Sequence, residues 1–247
     1  MRDRMKNHKQ YTIWGHARSG STYLVKILNM YLYEKFHQSN EYHLVENEEM
    51  LSGKFDVLPK HLTREKIINY WTEYNGKDVY SVWKTMTDYQ NLLIDIHTIN
   101  EKTNSFSIGR RNWKHTVISY LRSLETQVWN TVDDIDIKEA HYNNVTFLDV
   151  LYITKMIAQW HRVTRLYEMP YIWYEDLSFT SKDLNFFNIN DSIKIDSQYF
   201  TKKITKDSEY ELFDEILKKN NINIKRILRQ SRLPLDPDNS NLLKNIQ

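Results

Sequence analysis

The chain has 247 residues, of which 40% are hydrophobic and 27% charged, with a formal net charge of +2 and no cysteine. This composition predicts one folded domain over 1–247, with its core at 11–230 and a polar tail at 234–247. It argues against bulk nucleic-acid binding and excludes disulfides and thiolate metal sites. The N-terminal segment lacks the apolar region of a signal peptide, and no apolar run approaches the ~18 residues of a membrane span. We therefore expect a soluble, cytoplasmic protein.

Apolar segments in the first hundred residues predict two strands, each followed by a helix. Residues 11–14 (YTIW) are typical of a short strand, and a helix is expected from Ser21 to Phe36. Apolar residues recur within that helix at the spacing of one helical face. Residues 79–83 (VYSVW) are typical of a buried strand, with a helix expected over 88–99.

The rest of the chain continues the alternation of strands and helices. Strands are predicted at 105–109 and 170–174, and an acidic loop at 133–145. Helices are expected from Trp113 to Trp129 and over 146–168, 207–219 and 222–230. This order predicts an α/β fold, a single domain with a mostly parallel central sheet flanked by helices.

The connection after the first strand has the glycine spacing of a P-loop. Gly15 and Gly20 are separated by four residues, but Ser21, followed by Thr22, stands where nucleotide triphosphatases carry lysine. The backbone N–H groups of such a loop and the following helix N-terminus form a cradle for a tetrahedral anion. Arg18 adds a cation within the loop. The pattern predicts a nucleotide with a 5′ anion, and not ATP used for its γ-phosphate.

A second polar segment follows the strand at 105–109. Arg111 and Asn112 lie at its end, and Ser119 stands eight residues after Arg111, about two turns along the expected helix. A guanidinium fork and a hydroxyl are suited to binding one anionic group together.

Together these segments resemble the sulfotransferases that use 3′-phosphoadenylyl sulfate (PAPS), whose fold is P-loop-like. The string ARSGSTYL is similar to their 5′-phosphosulfate loop, K/R-S-G-T-T-x-L. RRNWKHTVISYL is similar to their 3′-phosphate segment, R-N-P-x-x-x-x-x-S-Y, with Trp113 in place of proline. YEDL at 174–177 matches a third family segment, and the resemblance covers about residues 11–178.

The resemblance implies a role for each matching residue. Arg111 and Ser119 would hold the 3′-phosphate of the donor, Tyr174 would lie near adenine, and Lys84 would neutralise charge on the transferring group. Arg18 would contribute to catalysis as well as to binding. The residues implied to bind the 5′-phosphosulfate are Arg18, Ser19, Gly20, Ser21, Thr22 and Tyr23.

At the position of the general base, the sequence differs from one branch of that family. Met86 occupies the place of the histidine base of the cytosolic small-molecule enzymes, and a thioether is not a useful proton acceptor. The carbohydrate and protein-tyrosine branches use a glutamate after the first helix, which points to Glu41, with His43 and Glu46 as substitutes. The late glycine-rich segment of the family is not evident, and the lysines at 202, 203 and 206 are candidates to replace it.

These observations predict a sulfotransferase that moves a sulfuryl group in line from PAPS to a hydroxyl or amine, without a metal, and releases 3′,5′-ADP (PAP). The acceptor is expected to be a small molecule, a carbohydrate or a peptide, with no nucleic-acid partner. The alternatives are a P-loop kinase of nucleotides or small molecules, and a degenerate nucleotide-binding module. Plainer interpretations of single residues also stand: Lys84 and Glu41 as solvated side chains, and Tyr174 as core packing.

Overall fold

A computed structural model describes residues 9–36, 38, 69, 80–86, 95–127, 140–191, 193, 208–235 and 242, without the side chains of 208–210. Four parallel strands form one sheet in the order β2-β1-β3-β4. The strands are β1 (Gln10–Gly15), β2 (Ser81–Met86), β3 (Asn104–Gly109) and β4 (Tyr171–Trp173). Because helices flank this sheet, the predicted α/β class with a parallel sheet is confirmed. The likeness of the N-terminal connection to a P-loop stays a prediction.

Helices alternate with these strands in the described part of the chain. They are α1 (Ser21–Phe36), α2 (Ile96–Lys102), α3 (Trp113–Thr126), α4 (Phe147–Leu166), α5 (Ser208–Lys219) and α6 (Ile224–Ser231). Short 3₁₀ segments follow β4 at Tyr174–Asp176 and Ser181–Phe187.

Capping residues explain why several helices begin or end at residues other than those predicted from hydrophobic periodicity. Thr146 forms a reciprocal capping box with Asp149, so α4 begins at Phe147. Gln127 takes a left-handed conformation with φ of 59° and ends α3 at Thr126, before the predicted end at Trp129. Asp95 accepts a hydrogen bond from the Thr98 N–H and starts α2 at Ile96, inside the helix predicted over 88–99.

Strand β2 is displaced from its predicted position. Its register pairs Gln10 with Ser81 and Gly15 with Met86, so the strand runs on through Lys84 and Thr85. All six of its residues are buried, including these polar ones. The strand was predicted at 79–83 because the apolar residues end there. An apolar pattern does not reveal that the polar residues after it, Lys84 and Thr85, also belong to the sheet.

The two faces of the sheet are covered by different helices. The first face presents Ile13, Phe106 and Ile108, which pack with the apolar residues of α1. On the second face, α4 lies close to β3: the hydroxyls of Ser107 and Thr164 are 2.6 Å apart.

A second layer packs on the outer side of α4. Helices α3 and α6 contact α4, and α5 contacts α3, around a cluster that includes Trp113, Ile157, Phe213 and Ile227. Leu242, from the segment predicted to be a polar tail, joins this cluster with 2% of its surface exposed. Its N–H donates to the Arg111 carbonyl over 2.9 Å, so this residue contacts the connection after β3.

The strand order identifies the edge of the sheet where ligands bind in such folds. Strand β1 is central, and the chain goes to β2 on one side of it and then to β3 on the other. Ligands of open parallel sheets bind outside the carboxyl ends of the strands at this switch point. The connections at 16–20 and 110–112 follow β1 and β3 at that edge. Within the described residues, no helix has the length and apolar character needed to cross a membrane.

Candidate anion-binding site

The connection between β1 and α1 is a tight turn with an unusual backbone. The Ser19 N–H donates to the His16 carbonyl over 3.1 Å, which closes a four-residue turn. Arg18, the third residue of the turn, has a φ of +67°, and Gly20 has a φ of +95°. Positive φ at that turn position normally selects glycine, so an arginine there carries backbone strain. Such strain is concentrated at functional sites.

Gly20 also brings the turn against Tyr174. A Cβ at Gly20 would overlap the ring of Tyr174, and Ile108 lies just beyond it. The guanidinium carbon of Arg110 lies 4.4 Å from the centre of the same ring. The β1–α1 turn, the segment after β4 and the residue after β3 therefore meet at one place.

Arg18 extends from the turn to helix α3. Its Nε donates to Ser119 Oγ over 3.0 Å. Burial, followed by the charges of Arg110 and Arg122, lowers the pKa of Arg18 to about 10. Positive groups from two other parts of the chain, the residue after β3 and helix α3, thus act on Arg18.

Two buried polar atoms of this turn find no hydrogen-bond partner within the described part of the chain. Ser19 is fully buried, and its Oγ lies 2.7 Å from the position of a Cβ on Gly15, so the hydroxyl is folded over the start of the turn. Ser19 Oγ and His16 Nε2 have no partner among the described residues. A buried polar atom without a partner costs free energy, and a bound ligand is one way to satisfy it.

His16 is a neutral imidazole at physiological pH. Its Nδ1 lies 3.0 Å from the Ala17 carbonyl oxygen, so Nδ1 is the donor and Nε2 carries the lone pair. Burial, with a smaller contribution from Arg110, lowers the pKa of His16 to about 4. The imidazole therefore adds no charge to the arginine group and can only accept a hydrogen bond at Nε2.

Lys84 brings a further cation to the start of α1. It is 6% exposed within β2, and its Nζ donates to Thr22 Oγ1 over 3.2 Å. Met86, two residues later, pairs in register with Gly15. The structure thus places Lys84 beside the residues of the predicted phosphosulfate loop.

Arg111 turns to the surface and is held by the YEDL segment. Its Nη2 lies 2.9 Å and 3.1 Å from the two carboxylate oxygens of Asp176, and its side chain is 37% exposed. The Glu175 carboxylate accepts hydrogen bonds from the N–H groups of Arg111 at 2.9 Å and Asn112 at 3.5 Å. Acidic side chains therefore already occupy the start of α3. Ser119, the predicted partner of Arg111 at the 3′-phosphate, bonds Arg18 instead.

Tyr23 belongs to a different local cluster. Its hydroxyl donates to Asp183 Oδ2 over 2.6 Å, and burial together with this carboxylate raises its pKa. Asp183 also accepts hydrogen bonds from the backbone N–H groups of Ser178 and Phe179. The structure does not bring the Tyr23 hydroxyl together with the Arg18 group.

Three basic residues at this site were not predicted from the sequence. Arg110 is 9% exposed, although its neighbour Arg111 was the expected ligand. His115 and Arg122 share the face of α3 that carries Ser119, at the spacing i, i+4, i+7. Burial, followed by Arg110, lowers the pKa of His115 to about 4. The helical spacing around Ser119 was the signal that could have identified both residues.

The predicted general bases Glu41, His43 and Glu46, and the basic residues at 202, 203 and 206, lie outside the described residues. Among the residues that are described, no group of three His, Asp or Glu side chains is arranged to hold a metal ion.

No protein-family model matches this chain, and no curated protein sequence matches it significantly.

Proposed function

We propose that this protein is a sulfotransferase that takes its sulfuryl group from PAPS. The observation that carries the proposal is the position of Arg18. It lies in a strained turn at the carboxyl edge of the sheet, reaches Ser119 on α3, and is close enough to Arg110 and Arg122 for their charges to act on it. A protein that holds partly buried like charges together in this way is suited to an anionic ligand.

The surroundings of the turn fit the phosphosulfate end of such a donor. The N-terminus of the 16-residue helix α1 offers hydrogen bonds to anionic oxygens, and so does the Ser19 hydroxyl, which has no partner among the residues that the structure describes. Ser21, buried at the first position of α1, stands where a kinase would need a lysine for the γ-phosphate. These features support a donor with a short anionic chain over a nucleoside triphosphate.

The donor would supply an activated sulfuryl group, and the protein would position it and stabilise the charge that develops during transfer. Arg18 precedes α1 and reaches Ser119 on α3, and Lys84 reaches Thr22 in the first turn of α1. These two side chains would be the cations that stabilise the leaving group. Both side chains are held by hydroxyls of other residues, which fixes their direction before a ligand binds.

Arg111, Ser119 and Tyr174 complete the proposed donor site. The ion pair of Arg111 with Asp176 is exposed, and exposed pairs contribute only about 0–1 kcal/mol, so a 3′-phosphate can replace Asp176 at little cost. Glu41 is the proposed base that removes the acceptor proton, with His43 as its substitute. General-base catalysis of this kind contributes about 10²–10⁴ in rate.

Release of PAP from PAPS tests this proposal, with and without a panel of phenols, sugars and tyrosine peptides as acceptors. We expect Arg18→Ala to lose both turnover and donor affinity, because the half-buried guanidinium is removed from the proposed anion site. The matched control is Arg226→Ala, which removes an exposed arginine of α6. Turnover that is unchanged in folded Arg18→Ala would overturn the proposal.

A further inference from the structure

Arg110 and Arg111 follow each other in the chain but have opposite environments. Arg110 is 9% exposed, whereas the side chain of Arg111 is 37% exposed and paired with Asp176. The N–H of Arg111 is fixed by Glu175, which holds the connection after β3 in one orientation. This anchoring directs Arg111 to solvent and Arg110 to the inside.

The guanidinium of Arg110 is positioned by an aromatic ring that touches the turn. It lies 4.4 Å from the centre of the Tyr174 ring, within the range of a cation–π contact. The same ring packs against Gly20, where a Cβ would overlap it. Phe179 supports the ring from another side with an edge contact at 5.6 Å. Tyr174 thus holds Arg110 beside the Arg18 turn.

At neutral pH the charge of Arg110 acts on several basic side chains around it. Arg110 lowers the pKa values of Arg18, His16 and His115, and both histidines are neutral there. Arg122 adds a further positive charge that acts on Arg18, and its own Nε donates to the Tyr142 hydroxyl over 3.2 Å. Like charges held together in a partly buried region repel one another, and a bound anion relieves that repulsion.

We propose that Arg110, stacked on Tyr174, contacts the bound ligand together with Arg18, and that this pair of arginines selects a ligand with two linked anionic groups over one with a single group. Such ligands include a phosphosulfate and a pyrophosphate. The inference rests on the proposed donor site but names a residue and a specificity beyond it. A guanidinium fork matches two anionic oxygens, and two forks match two linked groups.

Inorganic pyrophosphate and orthophosphate are the probes for this pair, titrated calorimetrically at low salt. The wild-type protein is expected to bind pyrophosphate more tightly than orthophosphate. Arg110→Met removes the charge and keeps most of the length of the side chain. It should weaken pyrophosphate binding by about 10- to 100-fold, the loss typical of a charge-assisted hydrogen bond, and should change orthophosphate binding far less.

The matched control is Arg226→Met, because Arg226 also stacks on an aromatic ring, 4.7 Å from the centre of Phe147, but on the outer helix α6. It should leave pyrophosphate binding unchanged. Arg110→Lys keeps the charge but loses the fork, and should retain an intermediate affinity. This second variant, with circular dichroism on each protein, distinguishes lost binding from lost folding.

Pyrophosphate affinity that stays within twofold of wild type in folded Arg110→Met would overturn the inference, as would equal wild-type affinities for pyrophosphate and orthophosphate. The proposed donor can fail separately. If pyrophosphate binds through Arg110 but PAP binds no more tightly than AMP, the arginine pair stands and the sulfotransferase proposal is withdrawn.

Discussion

Arg18 combines two features that are each unfavourable in the free protein. Its φ of +67° lies in the left-handed region, and its half-buried charge is subject to the charges of Arg110 and Arg122. The left-handed conformation costs a non-glycine residue about 1–2 kcal/mol. Under the proposed function, binding of an anion would offset both costs, which is the expected trade at a functional site.

The backbone strain at Arg18 can be separated from its charge by two substitutions. Arg18→Ala and Arg18→Gly both remove the guanidinium, but only glycine accepts a positive φ without strain. We expect Arg18→Gly to be more stable than Arg18→Ala by about 1 kcal/mol in urea unfolding, while both lose anion binding.

Gln127 provides the control for this comparison, because it has a φ of 59° at the end of α3, away from the turn. Gln127→Gly should likewise be more stable than Gln127→Ala, and neither should alter anion binding. Equal stabilities of the two Arg18 variants would show that the turn is not strained at this position.

Features of the candidate site that depend on neighbouring residues in the sequence were easier to predict than those that depend on distant contacts. The turn bracketed by Gly15 and Gly20 was visible because its glycines are local. The orientations of Arg110 and Arg111 could not be predicted, since the sequence does not tell which of two consecutive arginines turns inward. That choice depends on Glu175 and Tyr174, which lie more than sixty positions along the chain.

At the scale of elements, the absence of a side chain at Gly109 in β3 allows α4 to pack closely on the sheet. A Cβ on Gly109 would overlap the six-membered ring of Trp160, and the indole in turn contacts His16 with ring centres 5.0 Å apart. The indole of Trp160, on α4, therefore contacts both strand β3 and the β1–α1 turn.

Gly109→Ala should consequently destabilise the protein by about 1–3 kcal/mol, the usual cost of overpacking, because α4 must move away from β3. Chemical denaturation measures this loss. The same change in a Trp160→Leu background should cost much less, since the overlapping ring is gone. An equal cost in both backgrounds would contradict the close approach of Gly109 and Trp160.

The bounds of helices and strands were likewise predicted well where local signals set them and less well where distant pairing sets them. Helix α1 was predicted at both ends, from Ser21 to Phe36, because its periodicity and the glycine turn before it are local signals. Strand β2 extends through Lys84 and Thr85 because β1 provides hydrogen-bond partners along its whole length. Tertiary pairing of that kind overrides an apolar pattern.

At the scale of the whole molecule, the charges of the site make stability depend on pH. Burial lowers the pKa of His16 and of His115 to about 4 in the folded protein, against about 6.5 for a free histidine. Between these values the unfolded chain binds more protons than the folded one. Stability is therefore full above pH 6.5 and falls as the pH decreases toward 4.

His16→Asn tests the contribution of the first histidine. Asparagine keeps a donor for the Ala17 carbonyl but does not titrate, so the variant should lose part of the fall in unfolding free energy between pH 6.5 and 4. The part lost should be on the order of 3 kcal/mol, because His16 is fully buried. An unchanged pH profile would contradict a neutral, buried His16.

Calorimetric titration with PAP, run beside AMP and ATP with Mg²⁺, tests the central claim of a PAPS-dependent donor site most directly. We predict micromolar binding of PAP that depends on its 3′-phosphate and weakens in Arg111→Ala, with AMP and ATP binding more weakly. Preference for ATP with Mg²⁺ would contradict the account in favour of a kinase. Binding of none of the three would withdraw the enzyme assignment and favour a degenerate nucleotide-binding module.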